Sequence, residues 1–221
     1  MPKVATAIAI IAFLFMSVAV AEGQPAVGVK VGYWVEYSVK TTGSPPAAQD
    51  ITWAKIEIVD VEGEQFHANF TVRYVNGTVM SSLRTFNFTA GNVQAWIIIP
   101  ANLSPGQSFY DSSISSNVTI QGQLQKTVAG ATRTVTYTNS TAGGVQRNKQ
   151  WDKATGFYIQ SVDNLGTYTV NAKATSTNIW STQILGLNQN VFYLITVVIV
   201  IVAIALVVSI VILGRKRKRL A

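Results

Sequence analysis

From Val29 to Lys40 the chain alternates without a break. Val29, Val31, Tyr33, Val35, Tyr37 and Val39 fall on one side, and Lys30, Gly32, Trp34, Glu36, Ser38 and Lys40 on the other. A period of two over this length describes a half-buried strand, because successive side chains of an extended backbone point to opposite faces. The pattern recurs down the chain. Ile51 to Val61 places Ala54, Ile56 and Ile58 on one face, and Phe66, Ala68, Phe70, Val72 and Tyr74 alternate with Gln65, His67, Asn69, Thr71 and Arg73. Asn76-Gly77 follows, a two-residue hairpin signal in which both positions tolerate positive φ, and Thr78 to Phe88 returns as the next strand. Val93 to Ile99, ended by Pro100, reads as a short apolar strand. Later segments are 117–124, 132–138, 144–151, 156–162 and 167–175, separated by turns rich in Gly, Asp and Asn.

Nine or ten strands with short connections imply sequential antiparallel neighbours. No amphipathic helix interrupts them, so the apolar face must be hidden by curling or by a second sheet. The expected fold is mainly β: an antiparallel up-and-down meander forming a strongly curved sheet, half-barrel or barrel. A β-sandwich is the alternative.

The two ends are of another kind. Lys3 precedes an uncharged run, Val4–Val20, and Ala19-Val20-Ala21 has the small-x-small pattern of a signal-peptidase site. A signal peptide over 1–21, helical and cut after Ala21, is expected. Val191–Leu213 carries no charge and is followed by Arg215, Lys216, Arg217, Lys218 and Arg219. An apolar run of that length suits a transmembrane helix, and the cations suit a cytoplasmic stop. The expected organisation is an extracytoplasmic β-domain over 22–180, a juxtamembrane linker over 181–190, a span over 191–213 and a basic tail over 214–221. The protein would sit in the plasma membrane as a single-pass type I chain.

Charge follows the same division. Of 17 basic residues, six lie at the ends, leaving 11 against 10 acidic residues in the outer segment. Its net charge of +1 argues against nucleic acid as a partner. There is no cysteine, which removes disulfides, thiolate metal sites and thiol nucleophiles together. Six Asn-x-Ser/Thr motifs, at Asn69, Asn76, Asn87, Asn102, Asn117 and Asn139, all lie in the outer segment. They are glycosylation candidates.

Catalytic signals are weak. His67 is the only histidine and sits on a polar strand face, so it cannot build an ordinary zinc site. Asp60, Glu62 and Glu64 surround Gly63 but lack the spacing of a calcium loop. Asp152, Lys153 and Thr155 before Gly156 read as a turn in which Asp caps backbone N–H groups. No nucleophile elbow, phosphate loop or metalloprotease motif occurs. No enzyme and no cofactor are expected. Trp34, Trp53, Phe66, Phe70, Tyr74 and Trp96 are candidate lining residues for an apolar ligand, or else core.

Val31-Gly32-Tyr33-Trp34-Val35-Glu36-Tyr37 and Gln150-Trp151-Asp152-Lys153-Ala154-Thr155-Gly156 resemble strand and turn motifs of archaeal membrane-anchored surface proteins of unassigned function. Their β-domains are similar to the half-barrel of the LolA/LppX-like lipoprotein carriers. That resemblance implies a curved sheet and defines no catalytic residues. The chain departs from the lipoproteins in having no cysteine for lipidation, and from the carriers in having no helices to plug the half-barrel.

The function expected from these features is a cell-envelope binding or structural module, tethered by its C-terminal helix. It would contact envelope proteins or glycans, or serve as an accessory subunit. The alternatives are a carrier or sensor of an apolar ligand held in the curved sheet, and a membrane-tethered hydrolase.

Overall fold

The structure, a computed structural model, describes residues 26–142, 144–180, 183–184 and 187–218, without side chains for 142, 183–184, 187–188, 190 and 206–218. The expected signal peptide and the cut after Ala21 lie outside the described residues.

Of the thirteen strands among the described residues eleven carry the fold, and the two short ones at Gln183–Ile184 and Leu187–Asn188 pair only with each other. The first four are β1 (Trp34–Gly43), β2 (Ile51–Glu62), β3 (Gln65–Tyr74) and β4 (Val79–Asn87). Two short strands, β5 (Ser108–Asp111) and β6 (Ser116–Thr119), pair only with each other. The last five are β7 (Gly122–Val128), β8 (Ala131–Ala142), β9 (Val145–Asp152), β10 (Tyr158–Asn164) and β11 (Tyr168–Thr177). Nine strands form one antiparallel sheet in the order β4-β3-β2-β1-β11-β10-β9-β8-β7. It consists of two meanders, β1–β4 and β7–β11, joined where β1 pairs with β11. Val39 lies opposite Ala172, and Thr41 opposite Val170.

Several expectations need correction. The sheet does not close into a barrel, because β4 and β7 remain as its two edges. The first strand begins at Trp34 rather than Val29. Gly32, at φ 82°, turns the chain there, with the Tyr33 amide donating to the Lys30 carbonyl at 3.0 Å. Val93–Ile99 is not a strand. Gln94, Ala95 and Trp96 have φ of 43°, 56° and 66°, a left-handed turn that interrupts any ladder. Val93, Trp96, Ile98 and Ile99 are all buried there, so burial rather than strand pairing explains the apolar run. The single strand expected over 117–124 is split between β6 and β7, which belong to different sheets.

A larger correction concerns the C-terminal end. Among the described residues no helix is long and apolar enough to cross a membrane. The only α-helix among them is α1 (Gln189–Lys218). Its side chains are described as far as Ala205. On that finding the transmembrane helix expected over 191–213, and the single-pass topology that rested on it, are overturned. Arg215, Lys216, Arg217 and Lys218 continue α1, and Arg219 lies outside the described residues.

The core is built where the connection between the meanders, residues 88–121, covers one face of the sheet. Its backbone is stitched to β10 and to the turn before it. The Ile99 amide donates to the Gly156 carbonyl at 3.1 Å and the Tyr158 amide to the Ile97 carbonyl at 3.0 Å. Gly156 is required for this approach. It sits at φ 75°, and a Cβ there would stand 1.9 Å from the Ile99 oxygen. Phe109 bridges Trp96 and Trp151 edge-on, with ring centroids 6.2 and 6.1 Å away. The Trp96 indole donates to Asp111 at 2.5 Å, and the Trp151 indole donates to the Trp96 carbonyl at 2.8 Å. Each such ring contributes about 1.5–3 kcal/mol through burial alone. The paired indole N–H groups avoid the desolvation cost of an unmet donor.

Candidate functional site

Residues directly opposite in an antiparallel ladder share a face, so the register locates the two surfaces of the β1–β4 half. The core face of β3 carries Phe66, Ala68, Phe70, Val72 and Tyr74. Opposite them on β4 stand Phe86, Arg84, Ser82 and Met80 for the first four, and on β2 Ile58, Ile56 and Ala54 face Ala68, Phe70 and Val72. Burial falls steadily along this stripe. Phe66, Ala68, Phe86, Ile56 and Ile58 are buried, and Phe66 stacks on Phe86 at 4.7 Å. Phe70, Val72, Tyr74 and Ala54 are half-buried, and Met80 is 56% exposed. On the neighbouring strands Val39, Thr41 and Val170 are half-buried in the same way. The apolar stripe thus outlasts the cover that the 88–121 connection provides.

The far side of this open end is polar. Following the ladder from Val39 leads through Ala172 and Ser161 to Lys149. From Thr41 it leads through Val170 and Asp163 to Arg147. Lys149 is buried with its Nζ 3.3 Å from Asp163 Oδ2, and it donates to the Ala95 carbonyl at 2.6 Å. Burial pushes the Lys149 ammonium below its ordinary value, and the Asp163 charge and hydrogen bond oppose that shift. Its Nζ also stands 5.7 Å from the centre of the Tyr158 ring, and the Arg147 guanidinium stands 4.9 Å from the centre of the Trp96 ring. Asp163 Oδ1 is buried and has no hydrogen-bond partner among the described residues. An unmet acceptor of that kind costs about 1–3 kcal/mol unless something donates to it. This end of the core face therefore combines an apolar stripe with cations and one unsatisfied carboxylate oxygen.

The candidate lining residues divide three ways. Phe66 and Trp96 are fully buried in the core, whereas Phe70 and Tyr74 lie on the open stripe. Trp34 and Trp53 are on the opposite, outer face, since their register partners are Glu57 and Ser38. There Lys55 lies over the Trp34 ring at 5.3 Å and Arg73 over the Trp53 ring at 5.2 Å. His67 is also on the outer face, beside Asp60 at 3.4 Å. Among the described residues no three His, Cys, Asp or Glu side chains group as metal ligands.

Asp152 forms the capped turn expected of it. Its carboxylate accepts from Arg133 Nε at 2.7 Å, from Arg133 Nη2 at 3.2 Å, and from the Thr155 amide and hydroxyl at 3.1 and 2.7 Å. Beside it lies a polar cleft of about 260 Å³ bordered by Asn102, Arg133, Asp152 and Lys153. The Asp152 carboxylate that walls the cleft is thus fully engaged in holding the turn. Sequence reasoning passed over Lys149 and Asp163. The available signal was alternation, which puts Lys149 between Arg147 and Trp151 on one face of a strand.

No family model matches the chain, and no curated protein matches it. Its similarity to solved structures is weak. It resembles LppX, a lipoprotein of Mycobacterium tuberculosis, at 12% identity and a TM-score of 0.34, over 69% of this chain and 90% of that one. It resembles the siderocalin Ex-FABP, described as having dual ligand specificities, at 10% identity and a TM-score of 0.24, over 65% and 70% of the two chains. Val31–Tyr37 and Gln150–Gly156, the two sequence motifs, lie at the entry to β1 and at the Asp152 turn.

Proposed function

We propose that the protein is a non-catalytic binding protein that takes up an amphiphilic ligand at the open end of the core face. The observation that carries this is the half-exposed continuation of the core stripe through Phe70, Val72, Tyr74 and Met80. The ligand's apolar body lies along that stripe, removing its surface from water at about 25 cal/mol per Å². Its polar end lies toward β9 and β10, where a hydrogen-bond donor satisfies Asp163 Oδ1. The open stripe replaces the enclosed aromatic pocket that a barrel would supply. An extracytoplasmic location belongs to the same proposal. It is supported by the signal-like N-terminus and by the six Asn-x-Ser/Thr motifs.

The test is titration with a fluorescent long-chain alcohol, whose hydroxyl can donate to Asp163 Oδ1, comparing Val72→Asp with Leu83→Asp. Val72 is on the stripe, and Leu83, 62% exposed, is on the outer face. Loss of binding in the first variant only, with both folded by circular dichroism, is the expected result. Equal binding in both variants, or no binding by the unaltered protein, rejects the proposal.

A further inference from the structure

We infer that the protein carries N-linked glycans at Asn76, Asn102, Asn117 and Asn139, and none at Asn69 or Asn87. All six fit Asn-x-Ser/Thr, with Ser only at the Asn102 motif, and the structure separates them. Asn76 is at the tip of the β3–β4 hairpin, where a Cβ on Gly77 would meet nothing within 4 Å. Its Oδ1 accepts the Thr78 amide at 3.0 Å, and its Nδ2 has no partner among the described residues. Asn117 is exposed on β6 while its neighbour Val118 points inward and is buried. Asn139 is exposed on β8, its backbone braced on both sides by the Gln121 amide at 3.0 and 2.9 Å. Asn102 is exposed in a loop with φ 63°, anchored by its amide to the Lys153 carbonyl at 2.7 Å.

The other two are less accessible. Asn87 is half-buried, its Nδ2 donates to Gln65 and its Oδ1 accepts the Ala90 amide at 2.9 Å. Asn69 is half-buried in the middle of β3, flanked in the sheet by Glu57 and Leu83. At Asn87 a glycan would break the bonds that hold the turn, and at Asn69 it would have to fit between the side chains of Glu57 and Leu83.

The reaction needs a reachable amide nitrogen. Asn Nδ2 attacks the anomeric carbon of a lipid-phosphate-linked oligosaccharide, forming a C–N bond as the C–O bond to phosphate breaks. The phosphate leaves with the electron pair, and one amide proton passes to a base of the transferase. The three strand-borne motifs of the large sheet, Asn69, Asn87 and Asn139, share the outer face with Glu57, Gln65 and Asn148. None of these three points to the core face.

The inference rests on the extracytoplasmic location proposed above. Its test is peptide mapping by mass spectrometry of the full chain isolated from its native cells, after labelling intact cells with a membrane-impermeant amine reagent. Glycan mass shifts on the peptides of the four exposed asparagines, with unshifted Asn69 and Asn87 peptides, are expected. The Asn76 shift should disappear in Asn76→Gln. A labelled chain with a bare peptide at any of the four overturns the assignment of that site and leaves the location standing. An unlabelled, unmodified chain overturns both. Glycan on Asn69 or Asn87 overturns the burial argument.

Discussion

Tyr37 and Tyr158 stack with ring centroids 4.2 Å apart, and the Tyr37 hydroxyl donates to the Tyr158 carbonyl at 2.9 Å. Burial holds both phenols above their ordinary value of 10.0, because a phenolate there would lose its water. The unfolded state therefore releases these protons first as pH rises. Stability is full below pH 10 and falls above it. Tyr37→Phe is expected to cost about 1 kcal/mol at neutral pH through the lost hydrogen bond. It should also flatten the alkaline loss, as urea unfolding at pH 8 and pH 11 would show; an unchanged alkaline slope contradicts the assignment. Trp96 is the larger anchor, fully buried with its indole on Asp111. Trp96→Ala should cost about 3–5 kcal/mol, read from the shift in the urea midpoint. At this scale sequence reasoning saw Trp96 but not its neighbour Lys149. Burial of a lysine depends on Asp163 and the Ala95 carbonyl, which arrive from distant parts of the chain.

Among the elements, the connection over 88–121 is the one that makes the core, and Gly156 is where it touches the sheet most closely. Gly156→Ala has no room against the Ile99 oxygen and an unfavourable φ. Gly77→Ala has the same sign of φ, at 86°, but open space. The second change is expected to cost about 1–2 kcal/mol from left-handed strain alone, and the first clearly more. Paired thermal melts would check this, and equal losses would mean that the close approach is not maintained. The strands on either side were legible because β2, β3, β4 and β8–β11 advertise themselves by period-two alternation and turn residues. The 88–121 stretch has no such regularity. Its apolar residues are buried by the sheet they cover rather than by a face of their own, so alternation could not place them.

For the whole molecule, the joint between β1 and β11 decides cooperativity. Each meander has its own ladders, but only this pairing makes one nine-stranded sheet. Val39→Pro would remove a ladder donor and force the backbone in a central strand, a change expected to cost about 3 kcal/mol or more. If the joint unites the halves, unfolding followed by tryptophan fluorescence and by far-UV circular dichroism should shift together as one transition. Two separated transitions would show that the halves fold independently. The strands, their alternating faces and the Asp152 and Asn76-Gly77 turns were determined by the sequence itself, because each rests on residues a few positions apart. Tertiary structure alone decided that β1 pairs with β11, that 93–99 becomes a left-handed turn, and that Phe66 and Trp96 are core while Phe70 and Tyr74 border an open stripe. Those outcomes depend on what lies opposite each residue: β1 meets β11 across more than a hundred positions and Trp96 meets Trp151 across 55, and such contacts leave no local pattern to read.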